Sequence, residues 1–160
     1  MSSPRPESEP PMHTAAVTRQ VTPPTEVRTA FALWLTAVAA GAFETALVLG
    51  RVPADEIGTG LVVRLTVFTA AVLVALRMRS GARWARLALA VGLGVLGSAS
   101  LVVEPLRYLL DGGSPADALS RADALDLVFG ASRTLHLATV LTAVALMFRP
   151  AANAYFRGRP

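Results

Sequence analysis

Four apolar runs of about twenty residues each constrain this chain more than any other feature of its sequence. They occupy residues 29–49, 57–76, 84–103 and 125–148, and each carries at most a few ionisable side chains. At 1.5 Å per residue, a helix of roughly 20 residues crosses a hydrocarbon layer about 30 Å thick. Core helices of a water-soluble domain of that length keep a polar face, which these runs lack. Strands are excluded, because backbone groups in lipid must find partners within their own segment or in a closed barrel. Composition agrees: 53% of residues are apolar, 16% are charged and the mean hydropathy is +0.51. The expectation is an all-α fold, a four-helix transmembrane bundle with short up-down connections and antiparallel neighbours.

Residues 1–26 hold six of the eleven prolines among Ser, Thr, Glu and Arg, with no sustained apolar run. Such a stretch buries too little surface to offset its ordering entropy, so it reads as a disordered, Pro-rich cytoplasmic tail. It is not a secretory signal, whose apolar stretch follows directly on the first positive charges, so the first span doubles as the targeting element. Thr22 before Pro23, with Ser2, Ser3 and Ser8, offers phosphorylation sites, and the prolines offer polyproline II geometry; a solvated linker is the favoured reading. The four spans then make up residues 27–149, and 150–160 form a basic cytoplasmic C-terminus.

The connections carry turn chemistry: Pro53 in the first, Ser80 and Gly81 in the second. The longest, 104–124, contains Pro105, Gly112 and Gly113, then Ser114, Pro115 and Asp117. Ser as N-cap, Pro at the first helical position and an acid at the third predict a short surface helix leading into the fourth span. Ser120 with Asp123 repeats the signature.

All fifteen basic residues are arginine, against eleven acids, for a net charge of +4. Ten arginines lie in the tail, the middle turn and the C-terminus, whereas the opposite side has three: Arg51, Arg107 and Arg121. The excess marks the cytoplasmic face, which places both termini inside a cell membrane. The lipid bilayer, with anionic inner-leaflet lipids, accounts for the basic face, and no nucleic acid partner is required. Trp84, Tyr155 and Phe156 on the inner boundary and Tyr108 on the outer read as an aromatic belt. With no Cys there is no disulfide, thiolate metal site or cysteine nucleophile, and no cofactor or metal is indicated.

The charges inside the spans point to chemistry. Glu44, Arg64, Arg133 and His136 all fall within roughly 7 to 17 Å of the outer surface. Glu104 and Asp126 stand at a similar level as a rim. A lone Arg near mid-bilayer costs about 2.5 to 3.5 kcal/mol on insertion scales, so these side chains should face the interior and pair, Glu44 with Arg64 or Arg133. Two arginines and one acid do not balance. The surplus must be met by Glu104, by Asp126, by water or by a bound anion.

Gly92, Gly94 and Gly97 spell GxGxxG, but a dinucleotide fingerprint works only between a strand and a helix start, and these lie mid-span. The physical reading is a small-residue packing face, Gly92 and Gly97 with Ser98 and Ser100, which a groove on the first helix at Ala37, Gly41 and Thr45 matches.

The segments EVRTAFALWL (26–35), GARWARLAL (81–89) and FRPAANAYFR (148–157) resemble the small four-span integral membrane proteins of actinobacteria. The resemblance covers nearly everything after the tail and implies location and architecture; its motifs are boundary signals, and it brings no catalytic residues. Arg149 and Arg157 read as lipid-phosphate anchors, Pro150 as a helix stop or bend and Asn153 as a cap.

Three functional readings follow. The leading one is a structural or interaction module that associates as a homo-oligomer, or with another membrane protein, through the Gly92 and Gly97 face. The alternative is an outward-facing binder of a small anion or lipid headgroup. The third is an intramembrane enzyme or an oligomeric ion or proton conduit, for which the sequence offers only His136 beside Glu44 and no nucleophile elbow, HExxH or second ligand.

Overall fold

The computed structural model describes residues 22–51 and 58–158. The tail up to residue 21, Pro53 of the first connection and Arg159 of the basic C-terminus lie outside the described residues. Six helices follow in order: α1 (Thr25–Leu49), α2 (Gly58–Arg79), α3 (Arg83–Leu110), α4 (Pro115–Arg121), α5 (Ala124–Met147) and α6 (Pro150–Arg157). There is no strand among the described residues, and α1, α2, α3 and α5 are long and apolar enough to cross a membrane. Two boundaries differ from the sequence reading. α1 begins at Thr25, directly after Pro24, so Glu26 and Arg28 belong to its first turns rather than to the tail. α3 does not end near residue 103 but runs through Pro105 to Leu110.

Capping residues set the remaining boundaries. Gly81, at φ 93°, ends α2 with its neighbour Ala82 N–H bonded back to Arg77 O, a Schellman closure that needs a left-handed residue. Gly112, at φ 87°, ends α3 in the same way, with Gly113 N–H on Tyr108 O. Ser114 caps α4 by accepting from Asp117 N–H at 3.1 Å, as the sequence predicts. The second predicted cap moves by one turn: α5 starts from Asp123, not Ser120. Ser120 lies inside α4 with its hydroxyl donating to Asp117 O at 2.9 Å, and Asp123 and Asp126 form a reciprocal capping box after that helix has ended.

α1 and α5 pack most extensively and form the centre; α2 leans on α1, and α3 packs on α2 only near the Ser80–Gly81 turn. From Ala90 onward α3 lies against α5 instead. Its middle, Ala90–Gly97, winds as a π-helix, a wider turn tolerated where glycines weaken the α preference. Both ends of the described chain and the Ser80–Gly81 turn lie at one end of the bundle, its base. Arg51, Gly112 and α4 lie at the other, its mouth.

The core is confined to the base. Val27, Trp34, Ala75, Met78, Leu89, Ala143, Met147 and Phe156 pack there, with Trp34 Nε1–H directed at Met147 Sδ 3.4 Å away. Alanines supply much of this core and let the helices approach closely. α6 folds back beneath it, so Tyr155 and Phe156 are buried core residues rather than boundary aromatics. Arginine carries this closure. Arg83 donates to Phe156 O and Arg157 O at 2.6 Å each, and Arg86 donates to Asn153 Oδ1 at 2.6 Å and Met147 O at 3.3 Å. The carbonyls that end a helix have no donor within it, and guanidinium groups supply one. Asn153 Nδ2 caps α5 through Phe148 O at 2.8 Å.

Candidate functional site

Above the packed base the bundle is hollow. Glu44 and Thr45 from α1, Arg64 and Phe68 from α2, Ser100 and Leu101 from α3, and Phe129, Arg133 and His136 from α5 line one cavity of about 330 Å³. The four ionisable residues singled out from the sequence therefore share one space. Gly41 makes room for it: a Cβ there would lie 3.0 Å from the Phe68 ring and 3.2 Å from His136 Cε1.

Their pairing differs from the expected one. Glu44, 8% exposed, bonds neither arginine; its Oε1 lies 3.3 Å from His136 Nδ1, within hydrogen-bond distance, and accepts from Ser132 Oγ at 3.4 Å. Arg64 Nη1 donates to Thr45 Oγ1 at 3.4 Å, and Thr45 in turn donates to Gly41 O at 2.8 Å. Arg133 lies 5.7 Å from the Phe129 ring centroid and donates from Nε to Leu101 O at 3.0 Å and from Nη2 to Ser100 O at 3.3 Å.

Pro105 explains the Leu101 contact. In an α-helix the carbonyl of residue 101 accepts from the amide of residue 105, and proline has no such donor. Leu101 O is thereby free for Arg133, and the helix continues because the guanidinium replaces the lost partner. The sequence reading placed Pro105 in a loop and so missed Leu101 and Ser100; a proline four residues after the carbonyl was the available signal. Thr45 was read only as a groove residue, and Phe68 and Phe129 carried no signal beyond their apolarity.

The rim residues are engaged elsewhere. Glu104 pairs with Arg107 one turn on at 3.6 Å, exposed on α3. Asp126 pairs with Arg51 at 2.8 Å, and Asp123 joins it at 3.3 Å, tying the end of α1 to the start of α5. Arg51 is held more firmly in its charged form by these contacts, chiefly the hydrogen bond from its side chain to Asp126. Neither acid reaches the cavity, so Arg64 and Arg133 face one carboxylate that is already occupied by His136 and Ser132.

The packing glycines also sort differently. Gly94, not Gly92, is the close-approach position: a Cβ there would meet Val144 Cγ2 of α5 at 2.9 Å, whereas one at Gly92 meets nothing within 4 Å. A Cβ at Gly97 would meet only atoms of its own helix within 4 Å, Gly97 and Ala37 line one cavity rather than touch, and Gly41 faces Phe68 of α2 and His136 of α5. Ser132 Oγ donates to the Glu44 carboxyl group from the turn of α5 that precedes His136. No group of three or more potential metal ligands converges among the described residues. Comparison of the chain with protein-family models, curated proteins and solved structures gives no match.

Proposed function

We propose that the chain is a multi-pass membrane protein whose cavity receives a small oxyanion, a phosphate or carboxylate group, from the outer side of a cell membrane. One observation carries this reading: two guanidinium groups line a cavity whose single carboxylate is held by His136 and Ser132, while Glu104 and Asp126 pair elsewhere. Guanidinium is the side chain best matched to planar or tetrahedral oxyanions, and neither group spends all five of its N–H donors on protein acceptors. The arginine count puts the mouth outside, within reach of extracellular anions or outer-leaflet headgroups.

Thermal unfolding in neutral detergent tests it. Inorganic phosphate should raise the midpoint in a saturable way, and Arg64→Leu with Arg133→Leu should abolish the rise. Phosphate without effect on the wild-type protein, or an undiminished rise in the double variant, contradicts the reading.

The interaction-module reading keeps one observation in its favour. Gly92 is not consumed by packing within the chain, so a second helix could approach it closely. Gly92→Leu should then lower the crosslinked oligomer fraction in membranes; an unchanged fraction removes that reading.

A further inference from the structure

A second chamber lies directly below the charged one and is of different chemistry. It measures about 160 Å³ and is lined by Trp34 and Val38 of α1, Val67 and Ala71 of α2, Leu93 of α3 and Val140 of α5. Phe68, Ser100, Leu101 and His136 border both chambers, so the two adjoin across these side chains. The upper chamber presents Arg64 and Arg133; the lower presents almost only carbon. Both lie where α3 has left α2 to pack on α5, and both are walled by α2 on one side and α3 on the other.

From this arrangement we infer that the ligand is an anionic amphiphile drawn from the bilayer, its phosphate or carboxylate head between Arg64 and Arg133 and its alkyl chain in the chamber beside Trp34, Val67 and Ala71. The inference rests on the anion-binding reading above and adds the ligand's apolar half. A simple oxyanion has no use for the lower chamber, and a neutral apolar molecule has none for the arginines. An alkyl chain leaving the head would pass between Phe68 and His136, whose side chains stand where the two chambers meet, and the parting of α2 from α3 would give a lipid chain sideways access. The polar chamber alone falls in the size range of small-ligand sites, roughly 300–1,000 Å³.

The test uses the full chain in phosphatidylcholine nanodiscs and compares inorganic phosphate, n-hexyl phosphate and n-hexanol by thermal stabilisation. Burial of a methylene strengthens binding by about fourfold at most, so n-hexyl phosphate should bind at least tenfold tighter than inorganic phosphate, and n-hexanol should not compete with it. Filling the lower chamber with Val67→Trp, or independently with Ala71→Phe, should erase the tenfold gain and leave inorganic phosphate binding unchanged. Val67 is exposed and Ala71 buried, so the Val67 variant is the one expected to keep the fold if Ala71→Phe does not. Phosphatidylglycerol discs should weaken n-hexyl phosphate by competition, because lipid then occupies the site. Unaltered affinity in those discs overturns the bilayer as the source.

Phosphate that binds while the hexyl chain adds nothing, or a gain that survives in a folded chamber-filled variant, overturns the inference and leaves the anion reading standing. Equal binding of n-hexanol overturns the head assignment. Failure of both phosphates to bind the wild-type protein defeats the anion reading itself.

Discussion

Arg133 is the residue on which local backbone chemistry and the site meet. Its nearer carbonyl acceptor on α3, Leu101 O, is free because Pro105 supplies no amide, so side chain and proline should be energetically coupled. Arg133→Met should cost about 1 kcal/mol less in a Pro105→Ala background than in the wild type, since the backbone N–H that the alanine restores takes Leu101 O. A thermal-unfolding double-mutant cycle measures this; strict additivity would show that the guanidinium does not serve the carbonyl. Which residues carry charge into the bundle was legible from the sequence, because an ionisable side chain in an apolar run is costly wherever it points. Their partners were not. Glu44 chose the imidazole over either guanidinium, and that choice depends on helix rotation, which a sequence with small residues on several faces leaves open.

At the scale of elements, α3 and α6 depart furthest from what their residues suggest in isolation. The glycines of α3 sort by neighbour rather than by motif. Gly92→Ala should gain up to about 1 kcal/mol from helix propensity, while Gly94→Ala should forfeit that gain against Val144, whose branched side chain has one preferred rotamer in a helix. Unfolding midpoints that rank the two variants the other way would contradict the packing described. α6 is held by Arg86, which reaches Met147 O and Asn153 Oδ1 and lies 4.7 Å from the Phe148 ring centroid and 4.9 Å from that of Phe156. Arg86→Leu should therefore cost about 2 to 3 kcal/mol and speed proteolysis after Phe148. Unchanged cleavage would mean that α6 is held by its apolar face alone. The sequence reading counted Arg83 and Arg86 only as inner-face charge. The existence of the four spans, the cap at Ser114 and the turn at Gly81 are readable because each depends on a few adjacent residues; the length of α3 is not, because Pro105 lies within it, and the docking of α6 depends on contacts across more than sixty positions.

Across the whole molecule the defining property is asymmetry along the bundle axis. The base is dry, alanine-rich and closed by arginine on helix ends, and the other half is hollow, with Arg64 and Arg133 in the wall of a polar cavity. Four apolar runs dictate the architecture, and the depth arithmetic places Glu44, Arg64, Arg133 and His136 in one half. That half being open was beyond the sequence, because a cavity is what packing leaves over. The natural lack of Cys gives a silent background for testing it. Ser100, which borders both chambers beside Arg133, can be changed to cysteine and its modification timed with an anionic and a cationic thiol reagent of equal size, each normalised to a small free thiol. An anion-receiving cavity predicts that the anionic reagent gains at least tenfold over the cationic one, and that Arg64→Leu reduces the gain. A thiol in the Ser100→Cys variant that neither reagent reaches, or one that the cationic reagent modifies faster, would contradict it.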